Sequence, residues 1–254
     1  MNWFDAHCHL QDEVFLADWP GVIREAEAVG VRGFVCCGTR ESDWPRVAQL
    51  AAEVPGLIPS FGIHPWYLQD RSTDWLKRLE TLLRTVPLAG VGEIGLDHVR
   101  EPRNDEEQAA VFKAQLRVAR DYGRPVSLHC RKAWGRLFES LDEIGGLPAG
   151  GVVHSFSGAA ALVPRIEGYG LHISFSGSIT RPGNTRGPAA VQRVSADRLL
   201  IETDSPDLTP AGVADPVNRP SNLPRVADVV ARLRGLALVD LAALTVANAR
   251  RLWR

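Results

Sequence analysis

Two histidines separated by a single residue lie near the beginning of the chain. His7 and His9 flank Cys8 in a segment with the composition of a β-strand. In a strand, residues i and i+2 project from the same face about 7 Å apart, so the two imidazoles can converge on one cation while Cys8 points away. The pair carries little weight alone, because an isolated His-x-His is about as often an incidental pair of polar residues at a strand end.

Four more titratable residues close other apolar runs, and they are Glu93, His129, His154 and Asp204. Such groups are costly to bury unpaired within a strand, whereas at the C-terminal ends of barrel strands they are typical of active sites. Four imidazoles and two carboxylates suit Zn, Mn or Mg better than copper or iron–sulfur chemistry. Six ligands exceed the usual three of one catalytic zinc site, so we expect two divalent ions that share a carboxylate.

Each of these residues also has an ordinary structural explanation. A lone His129 or His154 is more often a core histidine that bonds a backbone carbonyl. Glu93 can pair with an arginine, and Asp204 can form a turn before Ser205-Pro206. All six would have to be incidental together at the strand ends of one barrel, which favours the metal site.

Alternating strands and helices must position these residues. The expected strands are Trp3–Leu10, Gly33–Thr39, Leu57–His64, Ala89–Asp97, Pro125–Cys130, Gly151–Phe156, Leu171–Gly177 and Leu199–Pro206. Helical spacing is seen over Asp105–Tyr122, and a last helix is expected over Asp240–Trp253. Eight strands each followed by a helix predict an α/β fold, a (β/α)8 TIM barrel that forms a single domain over residues 1–254. A doubly wound open sheet is the alternative, but it normally begins with a glycine-rich turn.

Composition excludes several classes of protein. The 254 residues are 45% hydrophobic, with 29 Lys+Arg against 30 Asp+Glu, so the chain is neither disordered nor a broadly basic coat for nucleic acid. No apolar run approaches the ~20 residues of a membrane span. No signal peptide is seen and no CxxC pair occurs, so we expect a cytoplasmic protein with reduced, buried thiols. The Pro-rich stretch Asp207–Pro224 is expected as a long loop on the active face.

A set of motifs spread along nearly the whole chain carries a resemblance to a known family. They are Asp5-Ala6-His7-Cys8-His9-Leu10, Gly62-Ile63-His64-Pro65, Gly92-Glu93-Ile94-Gly95-Leu96-Asp97, His129-Cys130-Arg131, His154-Ser155-Phe156-Ser157-Gly158, Glu202-Thr203-Asp204-Ser205-Pro206, Asn218-Arg219-Pro220 and Asn248-Ala249. In this combination the chain resembles the TatD-like metal-dependent hydrolases, which are described as magnesium- or zinc-dependent deoxyribonucleases. The single motifs are unspecific, but the combination is highly specific.

The resemblance implies a barrel with two metal ions bridged by Glu93. The family pattern would place one ion on His7, His9, Glu93 and Asp204, and the other on Glu93, His129 and His154. This chain departs from the pattern at His98, where an aromatic or apolar residue is usual, and at Lys132, where an acidic residue is frequent. Both departures leave the ligands intact and bear on substrate preference.

We therefore expect a deoxyribonuclease, acting as a 3'-5' exonuclease on single-stranded DNA with Glu93, Asp204 and His64 as catalytic residues. Asp204 would orient the attacking water, and His64 would contact the scissile phosphate unless it is only a turn histidine. Backbone phosphates would be held by Arg131 and Arg219, with Lys132, Arg181 and Arg186 as further candidates, although any one of them can be a solvated surface residue. Trp66 can stack a base or pack beneath its loop.

Two other functions remain open. One is an amidohydrolase-type C–N or ester hydrolase, such as an aminoacyl-tRNA deacylase. Many of those enzymes bridge their metals with a modified lysine on the fourth strand, where this chain has Glu93. The other is a non-catalytic binding protein, which would be expected to have lost ligands. No membrane association and no obligate protein partner are implied.

Overall fold

Eight parallel strands follow one another in chain order around a barrel in the computed structural model, which describes residues 1–253. They are β1 (Trp3–Cys8), β2 (Val31–Cys37), β3 (Leu57–Phe61), β4 (Gly90–Asp97), β5 (Val126–Arg131), β6 (Gly151–Val153), β7 (Leu171–Phe175) and β8 (Leu199–Ile201). Each strand pairs in parallel with the next one. The predicted TIM-barrel architecture is confirmed.

Helices connect successive strands and surround the barrel. Within residues 1–253 they are α1 (Trp19–Ala28), α2 (Trp44–Glu53), α3 (Trp75–Thr85), α4 (Asp105–Asp121), α5 (Trp134–Ile144), α6 (Val163–Gly168), α7 (Arg186–Arg193), α8 (Leu223–Arg234) and α9 (Leu238–Leu252). Apolar faces of strands and helices pack into one large buried cluster, and a smaller cluster joins β1, β2, β6 and β8 to the end of α9. Asn248 of α9 is buried and donates to the carbonyls of Ala196 and Leu199, which anchors α9 at the start of β8.

The first and last strands meet through residues that lie beside the predicted site. Asp204 N donates to His7 O at 3.0 Å, and His9 N donates to Ser205 O at 2.8 Å. Thr203 adds two hydrogen bonds to the buried Asp5 carboxylate, one from its backbone and one from its hydroxyl. The same segments that close the barrel therefore carry three of the predicted ligands, His7, His9 and Asp204.

Six of the eight strands end earlier than the sequence indicates, and the largest differences are in β3, β6 and β8. β3, β6 and β8 stop at Phe61, Val153 and Ile201, so His64, His154 and Asp204 lie in the turns that follow. After β3, the backbone of Ile63 exchanges hydrogen bonds with the Gln115 side chain of α4 instead of a neighbouring strand.

Left-handed residues follow β6 and β8 within three residues of the strand ends. Ser155 has φ 40° and Asp204 has φ 58°, a conformation that cannot continue a strand and that non-glycine residues adopt mainly at functional sites.

The remaining sequence expectations need only small changes. The predicted helix over Asp105–Tyr122 ends one residue earlier, and the last helix begins at Leu238 instead of Asp240. The loop after β8 begins earlier than predicted, because β8 ends at Ile201, and it also ends earlier, because a 3-10 turn over Pro220–Asn222 leads into α8. All four cysteines are buried and unpaired, as expected. No helix among the described residues has the length and apolar character needed to cross a membrane.

Candidate active site

All six predicted ligands are buried and meet around Glu93 at the C-terminal end of the barrel. His7 Nε2 and His9 Nε2 lie 3.2 Å apart. Glu93 Oε2 lies 3.4 and 3.3 Å from these two nitrogens, and Asp204 Oδ1 lies 3.6 and 3.4 Å from them. Four potential ligand atoms from β1, β4 and the turn after β8 therefore face one another at nearly equal separations.

These separations match those of atoms that bind one cation. Four ligand atoms at about 2.0–2.1 Å from a tetrahedral ion lie about 3.3–3.4 Å from one another. His9 Nδ1 lies 2.7 Å from the carbonyl oxygen of Cys37, which can only accept, so neutral His9 presents an unprotonated Nε2 to the cluster. The donor set thus fits a divalent cation at this position.

The second oxygen of Glu93 faces the other two predicted ligands. Glu93 Oε1 lies 2.9 Å from His129 Nδ1 and 2.8 Å from His154 Nε2, and those two nitrogens are 3.3 Å apart. Each carboxylate oxygen of Glu93 is therefore directed at a different group of ligand atoms. This is the arrangement that a carboxylate shared between two cations requires.

Electrostatics also favour cations in the cluster. Burial by itself raises the pKa of Glu93, but the positive charge of His154 and hydrogen bonds from the imidazoles hold that pKa well below its usual range. Burial likewise lowers the pKa of His9, yet the hydrogen bond to Asp204 and the charge of Glu93 raise it to about 9. Glu93 and Asp204 are thus ionised, and in the metal-free protein protonated imidazoles balance their charge. Divalent cations would take the place of these protons.

Three of the four histidine ligands make a hydrogen bond on the side of the ring away from the cluster, whereas His154 faces a carboxylate there without bonding it. His7 Nδ1 is 2.8 Å from Ser127 Oγ of β5, and His154 Nδ1 is 3.4 Å from Glu202 Oε1, just after β8. Such partners orient imidazole ligands towards the cluster, where a bound cation would take the place of the proton on the coordinating nitrogen. The site is therefore built before any ion binds.

Asp97 is the partner of His129. Its Oδ2 accepts from His129 Nε2 at 3.0 Å, which leaves Nδ1 to face Glu93. The same oxygen accepts from the indole of Trp66 at 3.0 Å, while Oδ1 accepts from the backbone of Val99 and Arg100. Burial alone raises the pKa of Asp97, but these hydrogen bonds hold it well below its usual range.

His64 adjoins the cluster but differs from the other four histidines. Its Nδ1 accepts the backbone N–H of Trp66 at 3.1 Å, so the neutral ring carries its proton on Nε2. That Nε2 lies 3.3 Å from Glu93 Oε1. His64 is consequently arranged to donate a hydrogen bond rather than to bind a cation, which is consistent with its predicted contact to a phosphate.

The two predicted phosphate-binding arginines are placed differently. Arg131 ends β5, with Nη1 at 3.6 Å from Asp97 Oδ2 and about half of its side chain exposed, so it borders the site. Arg219 instead pairs with Glu25 of α1 at 3.3 Å and lies near Asp215. A role for Arg219 in substrate binding stays a prediction. Lys132, one of the departures from the family pattern, directly follows β5 with a left-handed backbone at φ 55°.

Sequence reasoning missed the roles of Asp97 and Glu202. Both lie in the quoted motifs, four residues after Glu93 and two residues before Asp204. The even spacing that paired His7 with His9 was a signal that could have placed these carboxylates beside the ligands. Near Asp97, β4 and β5 approach so closely that a Cβ at Gly95 would clash with the carbonyl oxygen of His129.

A (β/α)8 barrel whose strand ends carry this histidine and carboxylate cluster has the architecture of a metal-dependent hydrolase. The sequence pattern of the family described as TatD related DNase matches residues 4–254, and the chain belongs to that family. The predicted membership and the prediction of a metal-dependent hydrolytic enzyme are confirmed, so the chain is not a non-catalytic binding protein.

Named relatives are similar to this chain over nearly their whole length, which supports this membership. The metal-dependent hydrolase YabD of Bacillus subtilis is 30% identical over 251 residues, which are 99% of this chain and 98% of that one. The 3'-5' ssDNA/RNA exonuclease TatD of Edwardsiella piscicida is 33% identical over 259 residues, with 98% of both chains covered. The crystal structure of YjjV, a TatD homologue from Escherichia coli, superposes with a TM-score of 0.94 at 31% identity and covers 99% of this chain and 97% of that one.

Proposed function

We propose that this enzyme removes nucleotides from the 3' end of single-stranded DNA by hydrolysis of phosphodiester bonds, and that it uses two divalent cations. The observation that carries the proposal is the division of the Glu93 carboxylate between two groups of ligand atoms. Two-metal sites of this kind are typical of nucleases and phosphatases. A relative that is 33% identical is named a 3'-5' ssDNA/RNA exonuclease, which supports the substrate class.

The ligand groups suggest which residues hold each cation. His7, His9, Glu93 and Asp204 would hold one, and Glu93, His129 and His154 would hold the other. Four imidazoles favour zinc or manganese over magnesium, which prefers oxygen ligands. When bound, the two cations supply neutralising charge for the phosphoryl oxygens and make water more acidic.

The other tasks fall to side chains of the chain itself. Asp204 would orient the attacking water and accept its proton, since its carboxylate borders the cluster and is ionised. His64 would donate from Nε2 to an oxygen of the scissile phosphate, and Arg131 would hold a neighbouring phosphate. Burial of the cluster excludes bulk water, which strengthens each of these interactions.

The test uses metal-stripped protein with Zn, Mn or Mg added back. A single-stranded DNA oligonucleotide labelled at its 5' end should give a ladder of products that shortens from the 3' end. RNA of the same sequence and an aminoacyl ester are the comparison substrates. Absence of nucleic-acid cleavage with every metal would overturn the proposal, and cleavage of the ester alone would favour the deacylase alternative.

Glu93→Gln should reduce the rate of DNA hydrolysis by about three orders of magnitude or more. The glutamine presents an N–H₂ group to one of the two ligand groups, so the number of zinc ions bound per chain should also fall. Metal analysis after dialysis measures that number. Glu53→Gln changes the charge equally on the exposed face of α2 and serves as the control. Wild-type turnover in Glu93→Gln would contradict the shared-carboxylate centre.

A further inference from the structure

Among the Trp, Tyr and Phe residues of the described range 1–253, only Trp66 is exposed. It lies in the turn after β3, and 38% of its surface is accessible. Its two N–H groups are both used inside the site, the backbone one by His64 Nδ1 and the indole one by Asp97 Oδ2. Neither N–H group of Trp66 is therefore left without a partner. A residue that only packed beneath its loop would be buried, as Trp3, Trp44 and Trp253 are.

The indole of Trp66 is held in fixed relation to the candidate metal centre. One oxygen, Asp97 Oδ2, accepts both the indole N–H and the N–H of His129. The indole also meets the ring of His64 edge-on, with 4.9 Å between centroids, and its centroid lies 6.2 Å from that of His129. A partly exposed aromatic ring is thus held beside the histidines of the candidate metal centre.

A cation lies over the Trp66 ring. The guanidinium carbon of Arg100 is 5.0 Å from the centroid of the Trp66 ring. The backbone of Arg100 and of its exposed neighbour Val99 donates to Asp97 Oδ1, so this turn is held by the same carboxylate. Aromatic rings supplemented by arginine are the surfaces on which single-stranded nucleic acids stack their bases.

We propose that Trp66, with Arg100 beside it, forms a subsite that stacks the nucleobase next to the scissile phosphodiester. The inference rests on the proposed nuclease function. Stacking needs only the flat face of a base, so this subsite would accept all four bases with little preference. It would favour nucleic acids over esters that lack a flat heterocycle near the reacting bond.

The experiment compares a single-stranded oligonucleotide with otherwise identical ones that lack the base of the 3'-terminal or of the penultimate nucleotide. Wild-type protein should hydrolyse the base-bearing substrate with a kcat/KM at least ~10-fold higher than that for one of the abasic substrates, as base–aromatic stacking predicts. Trp66→Ala should lose most of this difference, chiefly through a higher KM. Trp66→Phe, which keeps a ring, should retain much of it.

Binding to metal-free protein provides a second measurement that does not depend on turnover. The dissociation constant of a fluorescent oligonucleotide in the presence of a chelator should rise about 10-fold in Trp66→Ala. Trp19→Ala is the matched control, because Trp19 is another partly buried tryptophan with an arginine, Arg46, at 5.4 Å from its ring. It lies on α1 and should retain the wild-type preference for the base-bearing substrate.

The outcomes separate the two proposals. Wild-type hydrolysis of base-bearing and abasic substrates at equal rates would overturn the subsite and leave the nuclease function standing. A full preference for the base in Trp66→Ala would overturn it as well. If wild-type protein cleaves no oligonucleotide with any metal, the proposed function fails and the subsite fails with it.

Discussion

Both carboxylate oxygens of Asp97 accept hydrogen bonds, so this one residue positions several groups of the candidate site. Oδ2 serves His129 and Trp66, whereas Oδ1 serves the backbone N–H groups of Val99 and Arg100. All of these partners are donors, and Asp97 is fully buried. The residue therefore positions one candidate metal ligand and two candidate substrate contacts at once.

Asp97→Asn should weaken metal binding at the His129 group 10- to 100-fold. In either orientation of the asparagine, its N–H₂ group faces donors, so His129 is expected to turn or to move its proton onto Nδ1. Zinc titration measures the affinity, and ¹⁵N NMR of the histidine rings reports the tautomer in metal-free protein. Glu41→Gln alters a carboxylate that joins two loops through Ser72 and is the control. Unchanged zinc affinity and tautomer in Asp97→Asn would contradict the role assigned to Asp97.

At the scale of elements, the two ends of the barrel strands carry different kinds of titratable residue. The C-terminal ends carry the candidate ligands, whereas the N-terminal region of β7 holds His172 buried near Arg198, Arg251 and Asp197. His172 Nδ1 lies 3.3 Å from Gly151 O of β6, and Nε2 has no partner among the described residues. Burial first, and then the charge of Arg198, lowers the pKa of His172 to about 4.

His172→Gln should flatten the pH dependence of the free energy of unfolding. The folded-state pKa of about 4 lies below the usual 6.5. The unfolded chain therefore binds more protons in that interval, and the folded state loses stability as pH falls from 6.5 towards 4. This contribution amounts to at most about 3 kcal/mol. Urea unfolding of both proteins with a chelator at several pH values measures it.

Between pH 8 and 9 the difference in unfolding free energy between wild type and His172→Gln should stay constant, since His172 is then almost entirely neutral in both the folded and the unfolded chain. This interval serves as an internal control. Identical slopes for the two proteins between pH 4 and 6.5 would show that His172 does not contribute.

The strand limits show which parts of the secondary structure could be predicted from the sequence. Strand order, helix alternation and the long helix after β4 follow from apolar periodicity, which is local in the sequence. The early ends of β3 and β8 do not. Gln115 replaces a strand partner for Ile63, and beyond β8 the chain reaches a left-handed Asp204. Both features depend on a distant residue or on a backbone conformation, and apolar periodicity predicts neither.

For the whole molecule, charge is nearly balanced, with 29 basic against 30 acidic residues. Many of the basic side chains pair on the outer helices, as Lys113 does with Glu143, Arg136 with Glu106 and Arg165 with Asp142. The composition therefore provides no excess of positive charge for a broad basic surface. Contact with nucleic acid should be confined to a few phosphates at the mouth of the barrel.

Binding of single-stranded DNA to metal-free protein should accordingly depend weakly on salt. Two or three phosphate contacts predict a slope of about −2 in a plot of the logarithm of the binding constant against the logarithm of salt concentration. Arg131→Gln should reduce the steepness by about 0.7, the value for one contact on a single strand. Arg165→Gln, on the outer face, should leave it unchanged. A slope near −6 would indicate a much larger footprint.

The sequence by itself determined the barrel and the six candidate ligands, because strand periodicity and residue type at strand ends are local properties. It left open which atom of each side chain faces the site. His129 presents Nδ1 because Asp97 of the neighbouring strand holds its Nε2, and His9 presents Nε2 because the carbonyl of Cys37 accepts from its Nδ1. Only the tertiary structure decided these orientations, since each depends on a hydrogen-bond partner that another strand supplies.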